Sequence, residues 1–167
     1  MESPKARSRG RRARLTLRTI IRGWPWYYET TPIFSSEVLL RAIPKAPGYF
    51  SQSMSNWSVN PYAFEPNKKR DTDGMSFFRL DFTTPEEVAL SNLHALGALV
   101  GRVTVKQLRG MQLDVQCDPD ENQLAGHVIV PGMKFVANRP KAEKREIAHL
   151  SQRLAQFATQ NKVYSPR

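Results

Sequence analysis

Short apolar runs separated by polar turns predict most of the secondary structure from residue 35 onward. The run over residues 37–43, which Pro44 stops, predicts a first strand. Further strands are predicted where apolar residues cluster or alternate, at residues 75–82, 98–103, 112–117 and 126–130. This pattern is typical of a compact α+β domain.

Three segments carry helix signals. Thr84 is a good N-cap, and Glu87 completes a capping box for a helix that we expect to end near Leu96. A short helix is expected over residues 104–109 and a long amphipathic helix over residues 140–160. The apolar stripe of the long helix consists of Ile147, Leu150, Leu154 and Phe157.

Residues 44–74 are rich in Pro, Gly, Ser and Asn, which predicts a long irregular loop. Its aromatic residues indicate that the loop packs against the domain. We therefore expect a single α+β domain over residues 35–167, with a small mixed sheet of about four to five short strands, one central helix and a C-terminal amphipathic helix. A basic, aromatic extension over residues 1–34 precedes it and is expected to be partly disordered.

The distribution of charge separates the extension from the domain. The chain has 25 Lys and Arg against 15 Asp and Glu, a net charge of +10. Residues 1–23 contain eight basic residues and one acidic residue, whereas the other 144 residues contain 17 and 14. The arginines of this N-terminal arm are Arg7, Arg9, Arg11, Arg12, Arg14, Arg18 and Arg22.

Three interpretations of the arm remain open. In the first, the arm binds the phosphates of DNA or RNA, with an affinity that falls steeply as salt is raised. In the second, the arm is an organelle-targeting peptide, since it is Arg-rich and poor in acidic residues. In the third, the arm is a solvated extension without a binding role. The aromatic cluster at residues 24–28 either stacks on unpaired bases or anchors the extension to the domain.

Several classes of protein are excluded or disfavoured by what the sequence lacks. A single cysteine, Cys117, excludes an intrachain disulfide and favours a cytoplasmic location. No apolar run is long enough to span a membrane. Zinc-binding Cys pairs, phosphate-binding loops, dinucleotide fingerprints and nucleophile elbows are all missing, so we expect no cofactor and no metal.

A weaker set of residues suggests a catalytic pocket. Arg41 ends a strand, and Ser76 opens the next one after an Asp-Gly turn, as in folds that bind a nucleotide diphosphate by an Arg and a Ser. His127 lies on an apolar strand, either as a general base or as a core histidine bonded to the backbone. The acidic run at residues 118–122 is either a metal site or an ordinary turn. The catalytic hypothesis requires Arg41, Ser76 and His127 to face one pocket.

The same residues carry a resemblance. The segments 40–43 (Leu-Arg-Ala-Ile), 63–66 (Ala-Phe-Glu-Pro), 73–76 (Asp-Gly-Met-Ser) and 118–130 resemble, in order, the motifs of a widespread group of small bacterial proteins. Met75 replaces the leucine usual in that group. The resemblance covers about residues 38–132 and brings no established activity; it implies a shared fold and a shared pocket around Arg41, Ser76 and His127.

The sequence thus predicts a non-enzymatic, nucleic-acid-associated or complex-forming accessory protein, in which the folded domain makes the specific contact and the arm adds salt-sensitive affinity for the phosphates of DNA or RNA. A protein partner is also expected. The alternative is a small enzyme acting on a nucleotide or nucleic acid, a toxin or defence-associated effector similar to ADP-ribosyltransferases or nucleases. An interaction domain without a nucleic-acid role is a third hypothesis. For the location, organelle targeting is the alternative if the protein is eukaryotic.

Overall fold

A computed structural model describes residues 31–53, 56–91, 98–118, 124–161 and 164–165. The strands of this part of the chain are β1 (Val38–Pro44), β2 (Phe50–Ser53), β3 (Asn56–Val59), β4 (Met75–Arg79), β5 (Ala98–Thr104), β6 (Gln116–Cys117) and β7 (His127–Val130). Its α-helices are α1 (Pro85–Ser91), α2 (Val105–Arg109) and α3 (Lys141–Gln160). Two 3₁₀ turns lie at Pro61–Phe64 and Pro131–Met133.

Five strands form one sheet in the order β5-β1-β4-β7-β6, and β2 pairs with β3 in a separate hairpin. The α+β prediction is therefore confirmed. The expected mixed sheet is instead antiparallel at every pairing. β4 and β5, which α1 connects, run in the same direction, but β1 lies between them and pairs with both.

Residues 44–74 are more ordered than a long irregular loop. The β2–β3 hairpin occupies part of this segment, and the ring of Phe50 packs edge to face on that of Trp57 at a centroid distance of 5.0 Å. One of the 3₁₀ turns follows directly after the hairpin. The aromatic residues that indicated packing against the domain are thus also those that hold the hairpin together.

The register assigns the strand residues to two faces of the sheet, because side chains of a strand alternate and directly opposed residues share a face. The first face carries Leu39 and Ile43 and is covered by α3. The second face carries Leu40 and Val100 and is covered by α1. α3 approaches the first face closely at Gly101, where an added Cβ would lie 3.2 Å from Ala158 Cβ of the helix.

Local signals predicted the helix starts correctly. At α1, the Thr84 N–H donates to Glu87 Oε2 at 2.9 Å and the Glu87 N–H donates to Thr84 Oγ1 at 3.2 Å, which is the predicted capping box. A second box, between Thr104 and Gln107, starts α2. α1 is described to Ser91, so its predicted end near residue 96 lies outside the described residues.

The outer edge of β5 is paired with a residue near the C-terminus. The Val100 N–H donates to the Tyr164 carbonyl at 2.8 Å, and the Tyr164 N–H donates to the Val100 carbonyl at 2.9 Å. The two residues thus form an antiparallel bridge beyond the last strand of the sheet.

Candidate functional site

Arg41, one of the three predicted catalytic residues, is buried on the first face of the sheet, with 4% of its surface exposed. Its Nε–H donates to the Ala63 carbonyl at 3.2 Å, and Nη1 donates to the Ser76 carbonyl at 3.0 Å. Both terminal nitrogens face the Asp71 carboxylate at 3.4 Å. Burial lowers the pKa of the Arg41 guanidinium, and the Asp71 carboxylate opposes that shift. The donors of Arg41 are therefore engaged within the protein.

Asp71, fully buried, connects this arginine to the turn that precedes it. Its Oδ2 accepts the N–H of Asn67 at 2.8 Å, and the Asn67 carbonyl accepts the N–H of Arg70 at 3.1 Å. The Asp71 carbonyl accepts the N–H of Phe135 at 2.6 Å. The Arg41–Asp71 pair thus holds the turn and the segment around Phe135 against the core.

Ser76 lies beside Arg41 through its backbone and not through its hydroxyl. The register aligns Leu40 with Phe78, so the side chains of Ser76 and Phe78 belong to the second face. Its carbonyl lies in the plane of the sheet, where it accepts from Arg41. The two residues are neighbours, as predicted, but their side chains point to opposite sides of the sheet.

His127 is aligned with Phe78 and lies on the second face, with its ring 5.3 Å from that of Phe78. Its Nδ1 lies 2.8 Å from the Asp118 carbonyl and 3.2 Å from Asp118 Oδ2. Because a carbonyl oxygen only accepts, Nδ1 carries the proton. Nε2 is buried and has no hydrogen-bond partner in the described part of the chain. His127 is thus a buried histidine bonded to the backbone, the alternative to a general base.

This placement corrects the predicted single pocket. Arg41 and His127 lie on opposite faces because His127 and Leu40 are both aligned with Phe78, and Arg41, the residue after Leu40, points to the other side. The sequence shows which side chains alternate within one strand. The pairing of β4 with β7 is needed to tell which residues of different strands lie on the same face. Ser76 and His127 share the second face, because His127 is aligned with Phe78, which comes two residues after Ser76 on β4.

Other predicted residues fall partly outside the described chain. The seven arginines of the arm, Arg7 to Arg22, and the aromatic cluster at residues 24–28 lie outside it, as do residues 119–122 of the acidic run. Within the described residues, no group of three or more His, Cys, Asp or Glu is arranged to hold a metal ion. No helix among them is long and apolar enough to cross a membrane.

A feature that sequence reasoning missed is a groove built from the turn before Asp71 and the start of α3. It consists of two cavities of about 490 Å³ and about 370 Å³ that share Glu65, Pro66 and Phe135. We call it the basic groove. Its other lining residues are Tyr49, Tyr62, Asn67, Lys68, Lys69, Arg70, Val136, Arg139, Lys144, Ile147 and Ala148.

Cations from two distant segments meet at the basic groove. Lys68 and Lys69 are exposed on one side, and Arg139 and Lys144 line the other. Arg139 lies 3.8 Å from Glu143, whereas the two lysines of the turn and Lys144 make no ion pair within the described residues. The groove therefore has an excess of unpaired positive charge.

Aromatic rings lie beside these cations. Tyr49 and Tyr62 are tilted by 54° at a centroid distance of 4.8 Å, and half of Tyr62 is exposed. Burial and the neighbouring Tyr62 phenol raise the pKa of Tyr49. Phe135 is partly buried where the two cavities meet. The sequence feature that could have indicated the basic groove is the Lys-Lys-Arg run at residues 68–70, which lies next to the aromatic residues of the predicted loop.

Comparison of the chain with protein-family models, with curated proteins and with solved structures finds no match. The resemblance to small bacterial proteins therefore stays a prediction.

Proposed function

We propose that this chain is a non-enzymatic accessory protein that binds nucleic acid, using the arginines of the N-terminal arm together with the basic groove of the folded domain. The observation that supports the proposal is the basic groove, where unpaired lysines lie beside the half-exposed ring of Tyr62. Phosphate-binding cations next to aromatic rings are the usual elements of a nucleic-acid surface.

The charge of the domain is concentrated at this groove. Outside the arm, basic residues exceed acidic ones only slightly, 17 to 14. Yet the lining of the groove contains five basic residues and one acidic residue, namely Lys68, Lys69, Arg70, Arg139 and Lys144 against Glu65. Cations gathered in this way release counterions from a phosphate backbone, which is the main source of affinity for nucleic acid.

Catalysis by Arg41 is not part of the proposal. An ADP-ribosyltransferase-like pocket needs an arginine that is free to bind the phosphates of the substrate. Here the guanidinium is buried and donates to two carbonyls and to Asp71. Binding of a protein partner is the competing function, since an acidic protein would also be attracted to the groove.

The test is the binding of a labelled DNA duplex by the full chain over a range of KCl concentrations. Replacing Arg11, Arg12 and Arg14 by Ala is expected to weaken binding and to reduce the slope of log K against log salt by about 2 to 3, since each phosphate contact contributes about 0.9. The double variant Lys45→Gln/Lys106→Gln, which removes cations outside the groove and the arm, should leave the slope nearly unchanged. An unaltered affinity and slope in the arginine variant would remove the arm from the proposal.

A further inference from the structure

We infer that the basic groove selects single-stranded nucleic acid, with an unpaired base stacked on Tyr62 and the flanking phosphates bound by the cations on the two sides of the groove. This inference rests on the proposed function and specifies its ligand. Three properties of the groove carry it: the exposed tyrosine, the cations on its two sides and the buried pair that holds the lysine turn and the Phe135 backbone.

The exposed ring of Tyr62 favours a single strand over a duplex. In a duplex the faces of the bases are covered by their neighbours in the stack, so an aromatic side chain gains little from it. An unpaired base offers its face, and such stacking is sequence-tolerant because every base has one. Tyr62 is half exposed, while its other side packs on Tyr49 at 4.8 Å, which holds the ring in place.

The cations lie where a backbone that passes through the groove would run. Lys68 and Lys69 line the larger cavity with Tyr62, and Arg139 and Lys144 line the smaller one. Phe135 lies in the wall common to both. Each cavity, about 490 Å³ and about 370 Å³, is within the size range of pockets that enclose a small organic group, so each accommodates a base or a sugar.

The groove is preorganised by the core. The turn that carries the lysines and the backbone of Phe135 are both hydrogen-bonded to Asp71, which is paired with Arg41 inside the domain. A site whose parts are already held in place loses less entropy when a ligand binds. A general attraction between opposite charges would not need such an organisation.

The experiment uses the full chain with Arg11, Arg12 and Arg14 replaced by Ala, so that the arm does not mask the groove. The probes are oligothymidylate of about 12 nucleotides, its duplex with oligodeoxyadenylate, and poly-glutamate of similar charge. We expect the single strand to bind at least about fivefold more tightly than the duplex. Tyr62→Ala should weaken single-strand binding at least about fivefold, and Tyr62→Phe, which keeps the ring, should stay within about twofold.

Matched controls separate stacking and charge from a loss of folding. Phe34 is also an exposed aromatic residue, at 59%, but lies outside the groove, so Phe34→Ala should not alter binding. Lys68→Gln/Lys69→Gln should reduce the salt slope for the single strand by about 1.4, because each phosphate contact contributes about 0.7. Lys45→Gln/Lys106→Gln removes the same charge elsewhere and should change the slope far less. These surface variants give an answer even if Tyr62→Ala unfolds.

The outcomes distinguish the two proposals. Equal affinity for strand and duplex, or a folded Tyr62→Ala variant with unchanged binding, overturns the single-strand inference and leaves the proposed function intact. Failure of the parent chain, with its arm unaltered, to bind either nucleic acid overturns both. Poly-glutamate binding as tightly as oligothymidylate, with the same dependence on Lys68 and Lys69, assigns the groove to an acidic polypeptide and overturns the inference.

Discussion

Two arginines on the first face of the sheet pair with carboxylates, yet the pairs differ in geometry and in what they hold. Arg79 binds Glu37 as a fork, with Nε–Oε2 at 2.6 Å and Nη2–Oε1 at 2.8 Å. Arg41 faces Asp71 at 3.4 Å through both terminal nitrogens. Both pairs are buried, so each must be completed by further hydrogen bonds to offset the loss of water.

Those further bonds reveal the two roles. Arg79 also donates to the Thr31 and Pro32 carbonyls, and Glu37 accepts the N–H of Phe34, so this pair fastens the first described segment of the chain to the sheet. The bonds around Arg41 and Asp71 instead hold the turn at Asn67 and the segment around Phe135, both of which line the basic groove. The same chemistry thus serves to attach the chain in one place and to position a surface in the other.

The largest effect on stability is expected for Glu37→Ala. It leaves the Arg79 guanidinium buried without its carboxylate, which costs about 4 to 5 kcal/mol of the free energy of unfolding. Urea unfolding followed by circular dichroism measures it. The folded fraction should bind oligothymidylate as the parent does, because the pair lies outside the groove. A loss below about 1 kcal/mol would contradict the importance of the fork.

Asp71→Ala is expected to cost somewhat less, about 3 kcal/mol, because the lost contacts are longer. Unlike Glu37→Ala, it should also weaken oligonucleotide binding by the folded protein, since the turn at Asn67 loses its acceptor. Affinity is measured under conditions where circular dichroism shows the variant to be folded. Asp71→Asn, which keeps one oxygen, is the control and should fall between the parent and Asp71→Ala in both properties.

Lysine substitutions test whether the fork geometry matters beyond the charge. Arg79→Lys keeps the charge but loses the bidentate arrangement, and about 2 kcal/mol of stability should be lost. Arg41→Lys should cost about 1 kcal/mol less than Arg79→Lys, because its contacts with the carboxylate are weaker. Thermal and urea unfolding of the two variants give the comparison. Equal losses would show that the difference in distance has no energetic meaning.

The smallest effect on stability is expected for Lys68→Gln/Lys69→Gln. Both side chains are exposed and make no ion pair with a described residue, so the free energy of unfolding should change by no more than about 0.5 kcal/mol. The same variant should bind nucleic acid less well. A clear destabilisation would mean that the lysines support the turn, and the division between positioning residues and binding residues would need revision.

The parts of the fold that depend on neighbouring residues were predictable from the sequence. The capping box of Thr84 and Glu87 involves residues three positions apart, and the apolar runs marked most strands. The role of Arg41 was not predictable, because its partner Asp71 is 30 residues away in a segment that looked irregular. The basic groove was not predicted for the same reason, since Phe135 is distant from Asp71 in the sequence and contacts it only in the folded chain.

The bridge between Val100 and Tyr164 bears on self-association. β5 forms one border of the sheet, and an uncovered border strand is a template on which a second molecule can add its own strand. Here the amide and carbonyl of Val100 are already occupied by the chain itself. At this position of β5, Tyr164 therefore takes the place that a strand of a second molecule would occupy, and displacing it would leave the backbone groups of Val100 open to such pairing.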